Sequence, residues 1–292
     1  MTADTVWQVI LSGIMMGLIY ALVAAGLSLI FGLMDMVNFA HGEFLMISMY
    51  VMFGLVMWLG LDPLVLAPLV AALMFVFGSG VYLGIGQFAL RAKKNAGMVQ
   101  VFATFGLGLF LTGLVQMLFS PDYRNLPPSF VTDKAIQFLG ANIPLSQLIG
   151  AAVSIGAFAG LWFLISRTDL GQALEATRED ASAVALVGID RNRVFTAGWG
   201  LGAAMVGLAG SILATFFYIH PGVGASFSLI TFVTVALGGF GSIYGALVAG
   251  LVIGVVEACT ALFVSPSLKA VGVYAIYLAV MFFRPRGLFG SM

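Results

Sequence analysis

Four polar side chains stand close together in an apolar opening: Asp35, Asn38, His41 and Glu43, within LIFGLMDMVNFAHGEF at 29–44. Between Thr5 and Met34 the chain carries no charge at all. Side chains of these types either move protons or hydrogen-bond a polar molecule. Proton chemistry on a substrate needs a nucleophile–base pair or a metal, and the chain has two histidines far apart, His41 and His220, and a single cysteine, Cys259. Neither H-E-x-x-H nor a phosphate-cradling G-x-x-x-x-G-K-[ST] occurs. Hydrogen bonding is the better reading. Asn38, His41 and Glu43 span about one and a half helical turns, so they can share one broad polar face. Such groups persist at membrane depth where they line a water-filled cavity or pack inside a bundle. The alternative is a surface turn that caps two helices. Glu257 is the other charge inside an apolar run, and burial of a charge at a helix centre costs about 2.5–3.5 kcal/mol. It is either a pathway residue or the partner of a polar group on a neighbouring helix.

These residues need an apolar scaffold around them, and the composition supplies it. Of 292 residues, 61% are hydrophobic and 8% charged, against about 25% charged in an average soluble domain. An all-α polytopic membrane bundle is expected, a single unit over 1–292. Apolar runs lie at 6–30, 44–61, 64–90, 99–120, 145–166, 194–219, 227–240, 243–264 and 270–283. They predict eight or nine transmembrane helices with one or two broken or re-entrant segments. The run at 227–240 is short and meets Gly238, Gly239 and Gly241, which makes it a candidate half-helix. If it pairs with the break at 38–43, then Asn38, His41, Glu43 and Gly239 lie along a solute path, with Glu257 a further candidate.

Basic residues orient the bundle. Arg91, Lys93 and Lys94, then Arg167, Arg178, Arg191 and Arg193, then Arg284 and Arg286 fall in three segments expected to be cytoplasmic. The C-terminus is then inside, and 121–143, with Pro121, Pro127 and Pro128, forms an outer structured loop. Nine passes put the N-terminus outside, provided Asp35–Glu43 reaches the cytoplasmic surface; a turn within the membrane gives eight and the reverse. The first basic residue is Arg91, so no cleavable leader is expected. Net charge is zero, and no basic block suggests nucleic acid.

The segment 167–193 is long, charged and patterned as helix. Asp169 is a plausible cap for a first short helix, and Thr177 with Asp180 approximates a capping box for a second over 178–187, stopped by Gly188. Ala181, Val184, Ala185 and Gly188 fall at i, i+3, i+4 and i+7. This small apolar face predicts docking on a partner, with Glu175, Arg178, Glu179 and Asp180 as polar anchors around it and Ala176 among the coupling residues.

Three stretches together, GLSLIFGLMDMVNFAHGEFLM, ALEATREDASAVALVGIDRNRV and FFRPRGLFG, resemble the LivH-type permease subunit of branched-chain amino acid ABC importers. The resemblance implies a helical permease in the bacterial inner membrane. Its implied partners are a LivM-like second permease, two cytoplasmic ATPases and a periplasmic solute-binding protein. It implies no cofactor on this chain, with ATP and Mg held by the ATPases. It also implies that 167–193 is the coupling element, where Glu175 and Ala176 match an E-A-A pattern and Thr177 and Ala181 depart from it. A transporter or channel working alone would need paired ionisable residues in its spans, and Glu257 is the one candidate.

Overall fold

The computed structural model describes residues 3–92, 95–129, 134–138, 141–181 and 183–290; Lys93 and Lys94 lie outside them. The chain is a helical bundle with one small hairpin. Its elements are α1 (Ala3–Met34), α2 (His41–Leu59), and α3 (Pro63–Val81), which continues through a π-helical turn at Tyr82–Gly86 into α4 (Gln87–Leu90). After α5 (Ala96–Phe119), strands β1 (Ala135–Phe138) and β2 (Ala141–Pro144) pair antiparallel. Then come α6 (Leu145–Arg167), α7 (Asp169–Glu179), α8 (Ala183–Leu186), α9 (Arg191–Leu213), α10 (Val223–Gly238), α11 (Ile243–Phe263), a 3₁₀ turn at Pro266–Leu268 and α12 (Lys269–Phe283). Among the described residues eight helices are long and apolar enough to cross a membrane, and the shorter Val223–Gly238 is a ninth apolar helix.

A helix that is apolar all round belongs in the middle, and α1 is that helix. Ile19, Ala21, Leu22, Ala24, Ala25, Leu27 and Ile30 have no exposed surface. Small residues let its neighbours come close. A Cβ on Gly17 would stand 2.7 Å from the Gly250 carbonyl oxygen, and one on Gly13 would stand 2.8 Å from that of Gly254. The α1–α11 contact is therefore backbone against backbone. The α1–α9 crossing is built the same way, a Cβ on Gly202 standing 2.8 Å from the Gly26 carbonyl oxygen. Hydroxyls in these apolar helices bond back to carbonyls four residues earlier, as Ser211, Thr231, Thr234 and Thr260 do. Helices α5, α6 and α12 sit outermost and expose large apolar groups, among them Phe110, Phe163 and Phe282.

The two ends of the bundle differ. At one, Gly32 near the end of α1 packs on Gly241 beside Arg178, Tyr82 Oη reaches Asn192 Oδ1 at 3.3 Å, and the tail pairs with the end of α10 through Phe289 N to Gly238 O at 3.0 Å. This is the basic end. At the other, Gln8 Nε2 donates to the Asn142 carbonyl at the hairpin. Residues Arg124 and Ile219 form an antiparallel bridge there, and Arg124 Nη2 donates to the Phe119 carbonyl at 2.6 Å. The described part of 121–143 is thus a structured loop, as expected. The described ends of the chain, Ala3 and Gly290, lie at opposite ends of the bundle.

Candidate functional site

The polar stretch after α1 does two things the sequence reading treated as alternatives. Helix α1 runs to the basic end, where Asp35, at φ 50°, turns the chain. The chain then climbs back. Asn38 Oδ1 accepts from the Ala40 amide at 3.1 Å and fixes the turn. His41 opens α2, is fully buried, and pairs through Nε2 with the Val23 carbonyl at 3.0 Å. Val23 lies roughly 16 Å back from Met34 along the helix at 1.5 Å per residue. So α2 starts deep in the bundle rather than at its surface.

A second break mirrors it from the opposite end. After α9 the segment 214–222 touches the hairpin-end loop at Ile219 and turns inward into α10. The first turns of α2 and α10 then meet without side chains between them. A Cβ on Gly224 would lie 2.9 Å from the Gly42 carbonyl oxygen and 3.1 Å from the Glu43 amide. A Cβ on Gly42 would strike the Gly224 carbonyl and the Ser228 hydroxyl. Around this junction four buried polar atoms have no partner among the described residues: Asn38 Nδ2, His41 Nδ1, Glu43 Oε2 and Ser228 Oγ. Glu43 faces Gly108 of α5, whose built Cβ would be 3.3 Å from Oε2. The rings of Phe39 and Phe232 pack beside them with centroids 5.1 Å apart. Buried polar groups are nearly always satisfied, so this cluster is poised to bond something. Two helix N-termini add unpaired amides and positive dipole ends.

Gly239 is not part of this junction. Its backbone, at φ 100°, packs on Phe289 and Gly290 at the basic end. The second interruption that meets Asn38–Glu43 is therefore 214–222, not Gly238–Gly241. Pro221, Gly222 and Gly224 carried that signal in the sequence. Glu257 is partnered already: Tyr20 Oη donates to Oε2 at 2.6 Å, and Lys269 Nζ lies 2.7 Å from Oε1. It ties α1, α11 and α12 together, the structural alternative. Lys269→Met would leave this buried carboxylate with one neutral partner. Because the lysine is half exposed, the expected loss is modest for a buried pair, about 1–3 kcal/mol. A lower unfolding temperature in detergent, with uptake kinetics unchanged, is the outcome to measure.

The segment 167–193 departs from the expected geometry. Thr168, not Asp169, caps α7, accepting from the Gly171 amide at 3.1 Å. Helix 178–187 does not form. The chain is extended at Asp180 (φ −151°, ψ 99°), and its carboxylate caps a new start by accepting from the Ala183 amide at 3.0 Å. Only α8 follows. Gly188, at φ 84°, stops it as expected, with Ile189 N bonding Val184 O at 3.1 Å and Gly188 N bonding Ala185 O at 3.3 Å. The expected docking face is split. Val184 is buried in the chain itself and Ala181 half-buried, while Glu175, Ala176, Arg178, Glu179, Asp180 and Ala185 are exposed. The apolar groups that project are Leu186, 89% exposed, and Val187, 76% exposed.

Comparison with known proteins agrees with this architecture. The family model described as "Branched-chain amino acid transport system / permease component" matches residues 9–283. The high-affinity branched-chain amino acid transport system permease protein LivH of Escherichia coli K12 is 31% identical over 294 residues, 97% of this chain and 95% of that protein. The corresponding BraD of Pseudomonas aeruginosa is 32% identical, with 97% and 95% covered. A probable LivH of Methanocaldococcus jannaschii is 28% identical, with 81% and 75% covered. With its deep helix breaks and apolar passes, this chain belongs to the branched-chain amino acid transport permease family.

Proposed function

We propose that this chain is the membrane path for a branched-chain amino acid or a related small polar solute, and that the α2–α10 junction is where the solute is handled. One observation carries this: two helices broken at depth from opposite ends meet there amid unpartnered polar atoms. Broken helices in opposed halves are how membrane carriers offer hydrogen bonds away from either surface. A solute carboxylate suits the paired helix N-termini, an ammonium suits Glu43, and an apolar side chain suits Phe39 and Phe232.

Membership of the family supports a reading of the rest of the assembly as that of an ABC importer. A LivM-like second permease stands beside it in the bacterial inner membrane, two cytoplasmic ATPases supply ATP and Mg, and a periplasmic binding protein delivers the solute. The basic end then faces the cytoplasm by the basic-residue rule. The ATPase is met by Glu179, Ala185, Leu186 and Val187, since Val184 is turned inward.

The test uses the assembled complex in proteoliposomes. Glu43→Gln and Asn38→Ala each remove a group from the junction, and a lost charge-assisted hydrogen bond is worth about 1.5–3 kcal/mol. At least a tenfold fall in leucine uptake is expected, with the complex still intact on size exclusion. Wild-type uptake by both variants would reject the junction as the solute path. Uptake by this permease without its ATPases would reject the ATP-driven reading.

A further inference from the structure

A cavity of about 480 Å³ lies away from the α2–α10 junction, between α1, α6, α7 and the start of α11. Most of its wall is apolar, built from groups such as Leu29, Phe158, Leu161 and Leu247. A water-filled space needs two to four polar partners for each water, and this wall does not provide them. Its rim carries Trp162, 52% exposed, and Tyr244, 63% exposed. Amphipathic aromatics of this kind sit at the headgroup level of a bilayer. The cavity therefore opens on the outside of the bundle near the basic end.

The mouth is polar in a particular way. The Arg178 guanidinium lies over the Gly32–Gly241 contact, where a Cβ built on either glycine would be 3.6 Å away. Among the described residues it has no ion-pair or hydrogen-bond partner, and neither has Glu175, which shares the mouth. Helix α11 begins there, with Ser242 capping the Gly245 amide at 3.0 Å, and its first-turn amides at Ile243 and Tyr244 belong to the donors a helix start leaves without an intrahelical partner. One turn deeper than Gly32, Ser28 lines the cavity with no exposed surface and an unpartnered hydroxyl. From outside inward the cavity thus offers one anion and one cation, then a hydroxyl donor, then an apolar wall.

We propose that this cavity is a site for one membrane phospholipid with an amine headgroup, phosphatidylethanolamine. Its phosphate pairs with Arg178 and the first turn of α11, and its ammonium with Glu175. An ester carbonyl accepts from Ser28, and an acyl chain lies along Phe158 and Leu247. The charges at the mouth select the headgroup: a zwitterion satisfies both, whereas an anionic headgroup leaves Glu175 opposed to it. This rests on the cavity and the bilayer alone and stands apart from the solute path.

The experiment is native mass spectrometry of the intact complex, purified in mild detergent and exchanged against equimolar phosphatidylethanolamine and phosphatidylglycerol. One retained phosphatidylethanolamine per copy of this chain is expected. Arg178→Gln should lower its occupancy at least tenfold, and Glu175→Gln should erase the preference over phosphatidylglycerol. Ala159→Trp, placed on the cavity wall, should remove the adduct while the complex stays monodisperse, which separates blockage from misfolding. The proposal is overturned by no adduct on the wild type, by equal adducts on all variants, or by preference for phosphatidylglycerol. It is also overturned if a photo-crosslinker at position 159 captures a protein subunit instead of lipid.

Discussion

Replacing Leu186 with aspartate is expected to separate this permease from its ATPase while leaving the bundle folded. Leu186 projects from a four-residue helix at 89% exposure, with Val187 next to it at 76%. Two large apolar groups at the tip of a charged segment gain nothing from water, and about 2 kcal/mol is available for each one buried on a partner. Among the described residues Leu186 keeps 89% of its surface exposed, so the substitution should not change the unfolding temperature. An aspartate held against an apolar groove instead loses its hydration without a partner, at a cost of several kcal/mol. At 1.4 kcal/mol per factor of ten, ATPase affinity should fall at least a hundredfold, and solute-stimulated hydrolysis should disappear. Co-purification of the ATPase with a tagged permease reads this directly. Val184→Asp is the comparison: Val184 is 4% exposed, so that variant should lose stability first. Full ATPase retention by Leu186→Asp would move the contact to another part of the basic end.

Gly250→Leu should abolish the folded protein altogether. A Cβ at Gly250 would stand 2.6 Å from the Ala21 amide nitrogen and 2.7 Å from its Cα. These are backbone atoms in the middle of the central helix, so no side chain can rotate aside. The helices would have to part, and with them the Gly13 and Gly17 contacts of the same stripe. Overpacking of a core costs about 1–3 kcal/mol where side chains can adjust, and more is expected here. The matched control is Gly113→Ala on α5, where a Cβ meets nothing within 4 Å. Alanine there should be neutral or stabilising by up to about 1 kcal/mol. Membrane-inserted yield and monodispersity after solubilisation distinguish the two, and a monodisperse Gly250→Leu would refute the close crossing.

Apolar runs located the passes because lipid requires length and hydrophobicity of each, and both are local properties. The run at 99–120 is α5 (Ala96–Phe119) and that at 243–264 is α11 (Ile243–Phe263). Depth is not local. The residues from Asp35 to Glu43 read as a break, but the pairing of His41 with Val23 is set by how α2 lies on α1. The partner of that break was misplaced for a related reason. Gly238, Gly239 and Gly241 form the denser cluster, yet they serve the basic end, where Gly238 and Gly239 meet the tail and Gly241 packs on Gly32 of α1. Gly224, one residue into α10, does the close packing. In 167–193 the spacing of Ala181, Val184, Ala185 and Gly188 fits one continuous helix. Asp180 breaks it, since a short acceptor side chain competes with the backbone for its own amides, and that turns Val184 inward.

The union of α1 with α11 also governs how the molecule can be made. The two helices that touch most intimately are at opposite ends of the chain, so α1 enters the bilayer long before its mate has been synthesised. Until then its row of glycines faces lipid or a temporary neighbour, and the small residues that later permit backbone contact offer little grip on either. Contacts so distant in sequence are slow to form and leave partly built chains vulnerable. A chain that stops before Ile243 lacks the second half of its own centre, whatever number of passes it has already completed.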